Sequence, residues 1–337
     1  MTARTLIVGA GAIGGVTAAR LTRAGQDVTV LDANAEHVRL MVDPGLTFEE
    51  LGTTSIVPID AVTSAAELTG RFDFALTPLK APFLEAAVSP LVERDLVDTY
   101  VSCGNGLVQD RLEALVGASR LVIGIVEWGA TNLGPGHVAQ TTVAPFVIGE
   151  IDGSITDRIE RLRDVLLHAG DVRVSEEIFG QVWSKLLLNS TFSGLGAVSG
   201  MVYADVVAQP YGTDLAFALW AEGYGVAQAV GVHLDDVAGV HPDRLLVASP
   251  ADRARADAAL DELMARLGPT KASMLQDLER GARTEVDVIN GGVLAQAERH
   301  ARPAPLNARI VEMVHECESG GRQPGAANLA ELAALLP

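Results

Sequence analysis

The sequence predicts an α/β fold: a doubly wound, mostly parallel sheet over residues 1–174, followed by an all-helical domain over residues 175–337. In the first half, short apolar runs typical of buried strands alternate with segments long enough for helices, which is the pattern of parallel β-α-β units. After residue 175 the strand pattern stops, and helical spacing continues with breaks at glycines and prolines. The length of 337 residues also favours two hydrophobic cores over one.

The first elements form a β-α-β unit. Residues 5–8 make a short apolar strand, a glycine-rich turn follows, helical spacing continues to Ala24, and residues 27–31 make a second strand. Later in the domain we predict strands at 72–76, 99–102 and 121–126, an antiparallel hairpin appended to the sheet at 134–149, a helix at 155–169 and a last strand at 171–174. The sheet therefore lies entirely in the first domain.

The charge balance excludes several classes of partner. The chain has 25 Lys and Arg against 43 Asp and Glu, so its surface repels phosphate backbones and anionic lipids. No apolar stretch has the length of a membrane-spanning helix, and the two cysteines fit neither a disulfide framework nor a metal site. The chain opens on a strand rather than a signal-peptide pattern. We therefore expect a cytoplasmic protein that binds a small molecule and no nucleic acid, membrane or metal, and a homodimer stays open.

A GxGxxG motif, formed by Gly9, Gly11 and Gly14, lies between the first strand and the first helix. Glycines at these positions let the backbone turn tightly and approach a pyrophosphate at the N-terminus of the helix. Asp32 ends the second strand, where a carboxylate can bind ribose hydroxyls. This context favours a Rossmann-type dinucleotide site, with Ile13 of the motif included, over a merely structural glycine turn.

The choice of cofactor depends on the surroundings of Asp32. Its carboxylate would repel the 2′-phosphate of NADP(H), and the following Ala33 and Asn34 supply no positive charge. NAD(H) is therefore the favoured cofactor. NADP(H) stays an alternative if Arg39 or Lys80 reaches the phosphate.

Lys185, Asn189 and Ser193 are spaced four residues apart on a predicted helix whose other residues are mainly apolar. This spacing forms a polar stripe that faces either solvent or a cleft. A solvated lysine is the ordinary interpretation, but the helix carries few other charges. An apolar setting lowers the pKa of a lysine and so favours proton donation near neutral pH.

A second polar cluster lies among apolar residues of the sequence KASMLQDLERGARTEVDVINGG, and its members are Ser273, Gln276, Asp277, Glu285, Asp287 and Asn290. By itself this cluster is equally compatible with an exposed helix pair. Asn105, in SCGNGL, and Lys80, in LTPLKAP, each follow a predicted strand, where doubly wound folds present ligand-binding groups. Ordinary turns are the competing interpretation at both positions.

Taken together, these motifs resemble the ketopantoate reductase family. GAGAIGG, the strand-end LK, the NG pair, GATNLGPGHV, the SK-x3-N helix, SMLQD and RTEVDVINGG occur in the order seen in that family, over about residues 5–317. The resemblance implies a Rossmann domain joined to a helical domain, with a nicotinamide and a 2-oxo acid meeting between them. It also implies NAD(P)H-dependent reduction of a small 2-oxo acid, most closely 2-dehydropantoate to pantoate.

The resemblance further implies roles for individual residues. Lys185 would be the general acid, and Glu285 would bind the far hydroxyl of the substrate and balance the charge of the site. Ser273 would contact the substrate carboxylate. Asn105 and Asn189 would orient substrate and nicotinamide. Ser193 would contact the substrate, and Lys80 would lie near the cofactor.

Three positions depart from the family pattern. Ser193 stands where a second Asn is frequent, Gly104 stands where Gln commonly precedes NG, and GPGHVAQTTVAPFVIG lacks the usual glycine of its second half. Ser193 is shorter than Asn and lacks its two amide hydrogens. Together with Asp32, it keeps open an NAD-dependent D-2-hydroxy acid dehydrogenase of the mandelate or branched-chain type. A non-catalytic dinucleotide-binding regulator is the third alternative, although it would need neither Lys185 nor Glu285.

Overall fold

The computed structural model describes residues 3–336, and these fold into two compact units. The first unit runs to Gly104 and continues over Val108–Ile178. The second contains the short segment Asn105–Leu107 and the chain from Phe179 onward. The assignment of dinucleotide binding and substrate binding to separate domains, with a boundary at residue 175, stays a prediction.

The first unit contains every strand named in the described residues, together with five α-helices. The strands are β1 (Arg4–Val8), β2 (Asp27–Leu31), β3 (Leu46–Glu50), β4 (Thr53–Val57), β5 (Asp60–Val62), β6 (Phe72–Thr77), β7 (Val97–Ser102), β8 (Leu121–Val126), β9 (Ala130–Gly134), β10 (His137–Gln140), β11 (Phe146–Gly149) and β12 (Val172–Val174). The helices are α1 (Ala12–Arg23), α2 (Ala35–Leu40), α3 (Leu84–Glu93), α4 (Val108–Val116) and α5 (Asp157–Leu166).

The main sheet has eight strands in the order β12-β11-β8-β7-β6-β1-β2-β5. Its pairings are parallel except that β11 runs antiparallel to β8. The interior strand β1 ends in three apolar residues, Leu6, Ile7 and Val8, which are fully buried, as expected for a parallel strand that is covered on both faces. The predicted doubly wound, mostly parallel sheet is confirmed.

The predicted hairpin at residues 134–149 is only partly correct. Strands β9 and β10 do pair as an antiparallel hairpin, but they belong to a separate four-stranded sheet in the order β4-β3-β10-β9, and β11 alone joins the main sheet. The reason is a long-range pairing: β10 runs parallel to β3, and its residues pair with partners 90 positions earlier in the chain, which a local pattern does not reveal.

Arg20 of α1 ties this second sheet to the rest of the first unit. Its guanidinium donates to Glu50 Oε1 at 2.7 Å, to the carbonyl of Ala169 at 2.6 Å and to Gln140 Oε1 at 2.5 Å. Glu50 lies on β3 and Gln140 on β10, so one arginine joins two strands of the second sheet to α1. The pKa of Glu50 is lowered overall, since hydrogen bonds from Arg23 and Arg20 outweigh the opposing effect of burial.

The second unit is helical, as predicted, and in the described residues its β structure is one isolated bridge between Val237 and Val240. Its elements are α6 (Ile178–Leu188), a π-helical turn (Asn189–Ser193), α7 (Gly194–Ser199), α8 (Tyr203–Val207), α9 (Gly212–Val230), α10 (Arg253–Leu267), α11 (Ser273–Glu279), α12 (Asn290–Arg299), α13 (Pro305–Glu318) and α14 (Ala326–Ala333). Among residues 3–336, no helix has both the length and the apolar character that crossing a membrane requires.

Glu222 of α9 caps the N-terminus of α13. Its carboxylate accepts the backbone N–H groups of Leu306 and Asn307 at 2.9 and 3.0 Å, and the side-chain amide of Asn307 at 2.9 Å. Burial raises the pKa of Glu222, and these donors partly offset that effect. The start of α13 is therefore held by a carboxylate from a distant part of the chain rather than by a local capping residue.

Gly14 and Gly11 of the first turn differ in the space that is available for a side chain. A Cβ on Gly14 would lie 1.9 Å from the carbonyl oxygen of Gly9, whereas a Cβ on Gly11 would meet nothing within 4 Å. We therefore expect Gly14→Ala to lower the free energy of unfolding by about 2 kcal/mol or more, because the backbone must move apart. Gly11→Ala should cost no more than about 1 kcal/mol. Urea denaturation of both variants measures the difference, and equal losses would contradict this account.

Candidate functional site

The glycine motif forms a tight turn between β1 and α1. Gly9 has a φ of +91°, in the left-handed region, and its N–H donates to the carbonyl of Leu31 on the neighbouring strand β2 at 2.8 Å. Helix α1 then begins at Ala12, directly after Gly11. The first N–H groups of a helix have no intrahelical acceptors, so this turn presents donors that can bind an anion.

Asp32 lies beside this turn at the end of β2. One carboxylate oxygen accepts the N–H of Ala10 and the other accepts the N–H of Asn34, each at 2.8 Å. These two backbone donors hold the side chain in place and leave further lone pairs on each oxygen. Arg39, considered above for a phosphate, is exposed on α2.

The segment after β6 packs on the glycine turn. The side chain of Leu79 would lie 2.4 Å from a Cβ on Gly9, and the ring of Pro78 would lie 3.1 Å from one on Gly14. Lys80 follows directly and is half-buried at the start of a short 3-10 helix. The structure thus brings the Lys80 segment to the turn that holds the predicted cofactor-binding glycines.

In the second unit, Lys185 is half-buried on α6 among buried apolar neighbours that include Trp183 and Leu186. The backbone of α6 at Gly180 lies very close to the backbone of His233. A Cβ on Gly180 would lie 2.1 Å from the carbonyl oxygen of His233. Ser184 adds two hydrogen bonds, accepting from the N–H of Asp235 and donating to its carbonyl. Lys185 therefore sits on a firmly anchored helix.

The chain after α6 widens into a π-helical turn, Asn189–Ser193, which the regular spacing of the sequence did not predict. The predicted neighbours still meet, because Ser193 Oγ lies 3.4 Å from Asn189 Oδ1. Ser193 is buried and also shares a hydrogen bond of 2.7 Å with the hydroxyl of Tyr203, a residue that sequence reasoning missed. Burial raises the pKa of Tyr203, although its hydrogen bond with Ser193 opposes this.

The polar segment around Glu285 comes together with the NG pair. Asn105 Nδ2 donates to Glu285 Oε2 at 3.0 Å, and Leu107 N–H donates to the carbonyl of Val288 at 2.9 Å. Gly106 has a φ of +67°, and a Cβ there would lie 2.2 Å from the carbonyl oxygen of Val288. The NG pair is therefore a docking segment for Glu285, which is 5% exposed, rather than an isolated turn.

Residues of α13 that the sequence did not single out support the Glu285 segment. Glu318 Oε1 accepts the N–H and the hydroxyl of Thr284 at 2.7 and 2.8 Å. His315 Nε2 lies 2.9 Å from a carboxylate oxygen of Asp287. Thr284 and Asp287, which lie one and two positions from Glu285, are thus each bonded to a side chain of α13. No local pattern could show these pairings, because they join positions about 30 residues apart.

The remaining polar residues of the cluster have different surroundings. Ser273 is exposed at the first position of α11, and Gln276 donates to the carbonyl of Lys271. Asn290 is fully buried and donates to the carbonyl of Ser190 and to Asn307 Oδ1, at 2.8 and 3.0 Å. Asn290 therefore supports the π-helical turn. In the described residues, no group of three His, Cys, Asp or Glu side chains is arranged to hold a metal ion.

Comparisons with known proteins agree across both units. A family model described as ketopantoate reductase PanE/ApbA matches residues 5–153, and the model of its C-terminal part matches residues 177–318. A 2-dehydropantoate 2-reductase of Mesorhizobium japonicum is 29% identical over an alignment of 332 positions that covers 91% of this chain and 95% of the relative.

Two solved structures show the same fold. A PanE/ApbA family ketopantoate reductase from Ralstonia eutropha JMP134 is 25% identical with a TM-score of 0.80, over 94% of this chain and 99% of its own. A D-mandelate dehydrogenase is 22% identical with a TM-score of 0.79, also over 94% and 99%, and this likeness concerns the fold alone. Because the two family models together match most of both units, the chain belongs to the ketopantoate reductase family, whose members are oxidoreductases that act on CH–OH donors with a nicotinamide dinucleotide.

Proposed function

We propose that this enzyme reduces a small 2-oxo acid, with 2-dehydropantoate as the first candidate, prefers NADH, and uses Lys185 as the general acid. The observation that carries the proposal is the hydrogen bond of 3.0 Å between Asn105 and the buried carboxylate of Glu285. This pair brings together an amide donor and a carboxylate acceptor, the two kinds of hydrogen-bonding group that recognition of a hydroxylated oxo acid requires. The name of the Mesorhizobium relative supports the choice of substrate.

The residues of the glycine turn fit a dinucleotide. Space lies open over Gly11, where a Cβ would meet no atom within 4 Å, so a pyrophosphate can approach the N-terminus of α1. The carboxylate of Asp32 is fixed by two N–H groups and keeps acceptors for two ribose hydroxyls. A phosphate on the ribose would meet that charge, which favours NADH.

A bound nicotinamide supplies a hydride to the ketone carbon. The ammonium of Lys185 then gives one proton to the ketone oxygen as negative charge develops there, and the product is the 2-hydroxy acid. The neighbours of Lys185 on α6, Trp183 and Leu186, are buried and apolar, and a setting of low polarity would strengthen the attraction of the ammonium to that charge. Asn189, one turn later, is the neighbour best placed on the helix to orient the substrate.

Glu285 acts in recognition within this scheme. Its carboxylate accepts the distal hydroxyl of the substrate, while the amide of Asn105 holds the carboxylate in position. Ser273 would contact the substrate carboxylate from the start of α11. Lys80, next to the glycine turn, would lie against the cofactor.

A second candidate is an NAD-dependent D-2-hydroxy acid dehydrogenase. It is favoured by Ser193, whose hydroxyl is engaged with Tyr203 and which offers fewer hydrogen bonds to a polar substrate than an asparagine would. Rates for a panel of 2-oxo acids, each with NADH and NADPH, distinguish the two candidates. Because the chain is an enzyme, a non-catalytic regulator is no longer a candidate.

Lys185→Ala should lower kcat by about 100-fold or more, the usual contribution of a general acid, while the KM for NADH changes little. The wild-type rate should fall as pH rises through the pKa of the donor, because only the ammonium can give the proton, and this limb should be missing in the variant. Lys271→Ala is the matched control, since Lys271 pairs with Glu279 at 2.5 Å on the surface. Near wild-type turnover of Lys185→Ala would refute the mechanism.

Glu285→Ala should raise the KM for 2-dehydropantoate by about 10- to 100-fold, because a hydrogen bond to a buried charge is lost. For the analogue that lacks only the distal hydroxyl, the increase should be much smaller. Glu279→Ala, which removes an exposed carboxylate of α11, controls for net charge. Equal losses with both substrates would assign Glu285 to a structural ion pair instead.

Asp32→Asn should reduce the ratio of kcat/KM for NADH to that for NADPH by about tenfold, since the repulsion of the ribose phosphate is removed. Glu36→Gln is the control, because Glu36 is an exposed acid at the first turn of α2. A wild-type enzyme that prefers NADPH would show that a basic residue such as Arg39 or Lys80 controls this end of the site.

A further inference from the structure

His37 connects the glycine turn with the second sheet. It lies on α2, is 3% exposed, and is absent from every motif discussed above. The N–H of Gly136, in the turn between β9 and β10, donates to His37 Nδ1 at 2.7 Å. On the other side of the ring, His37 Nε2 lies 2.8 Å from the carbonyl oxygen of Ala10.

These two partners determine the protonation state of the ring. A backbone N–H can only donate, so Nδ1 must carry the lone pair, and a carbonyl can only accept, so Nε2 must carry the hydrogen. The neutral imidazole satisfies both partners. A proton on Nδ1 would set two N–H groups against each other at a buried position, so the protonated ring is incompatible with this arrangement.

Ala10 is the residue through which His37 reaches the dinucleotide site. Its N–H is held by Asp32 Oδ2 at 2.8 Å and its carbonyl by His37, so the backbone is fixed on both sides. The peptide that joins Ala10 to Gly11 is planar and trans, so its carbonyl and the N–H of Gly11 point in opposite directions. Fixing the carbonyl therefore also fixes the direction of the N–H of Gly11, the residue directly before α1.

Other titratable groups near the ring can be separated from it. Asp32 contacts Ala10 from the end of β2, and Glu36 and Arg39 flank His37 on α2. On the turn between β9 and β10, His137 follows Gly136 and pairs with Glu49 at 2.8 Å. His137 is thus the other imidazole in the immediate neighbourhood and supplies a matched control.

We propose that His37 is a positioning residue that orients the glycine turn for the dinucleotide pyrophosphate through the hydrogen bonds of its two ring nitrogens. The proposal rests on the dinucleotide site of the proposed function, but not on its substrate. It implies that loss of these hydrogen bonds lowers the affinity for the dinucleotide even while the protein stays folded.

The test is calorimetric titration of the full-length protein with NAD⁺. His37→Phe keeps a ring at this position but can neither donate to Ala10 nor accept from Gly136, so its Kd should rise by about tenfold or more. His37→Gln can donate to Ala10 and accept from Gly136, so it should restore most of the wild-type affinity.

His137→Gln should keep the wild-type Kd, because His137 does not hold Ala10. Thermal unfolding in the same buffer distinguishes weaker affinity from loss of the fold. A merely structural histidine would lower the unfolding temperature without changing the Kd of the folded protein. A wild-type Kd in His37→Phe, no recovery of affinity in His37→Gln, or an equal loss of affinity in His137→Gln overturns the proposal.

The outcome is separable from that of the proposed function. If the wild-type protein binds NAD⁺ and His37→Phe weakens that binding as expected, but no 2-oxo acid is reduced, the proposed reaction fails and the role of His37 stands. If it binds neither NAD⁺ nor NADP⁺, both proposals are overturned.

Discussion

The close approach of Gly14 to the carbonyl of Gly9 is the constraint on which the first unit depends. A Cβ on Gly14 would overlap that oxygen, so the path of α1 away from β1 exists only because the side chain is absent. From its position, α1 carries Arg20, which holds the strands of the second sheet through Glu50 and Gln140. The same turn leaves open space over Gly11, so packing of the fold and access for a ligand follow from one backbone arrangement.

Buried polar groups have an analogous part in the second unit. A chain of hydrogen bonds runs from Glu222 through Asn307 and Asn290 to the carbonyl of Ser190 in the π-helical turn. Such groups are costly to bury without partners, so the chain of contacts specifies one arrangement of α9, α12 and α13 around that turn. It therefore also fixes the backbone on which Asn189 lies.

The fold also brings together polar side chains from separate parts of the sequence. Asn105 lies 180 positions from Glu285, yet the two are hydrogen-bonded. The positive φ of Gly106 lets the segment approach Val288 closely enough for the backbone bond from Leu107. By sequence alone, Asn105 and Gly106 are an ordinary Asn-Gly turn. In the structure, this segment supports the buried carboxylate of Glu285.

The amino-acid sequence by itself determined the parallel sheet, the helical second half, the glycine turn with Asp32 at the adjoining strand end, and the helix that carries Lys185. Each of these features follows from the spacing of residues close together in the sequence, because apolar periodicity and glycine placement act over a few residues. Tertiary structure alone decided that β10 pairs with β3, that the turn after Leu188 is π-helical, and that Tyr203, His315 and Glu318 stand beside predicted residues. The physical reason is that these contacts join groups far apart along the chain, whose meeting depends on how whole elements pack and leaves no periodic mark in the sequence.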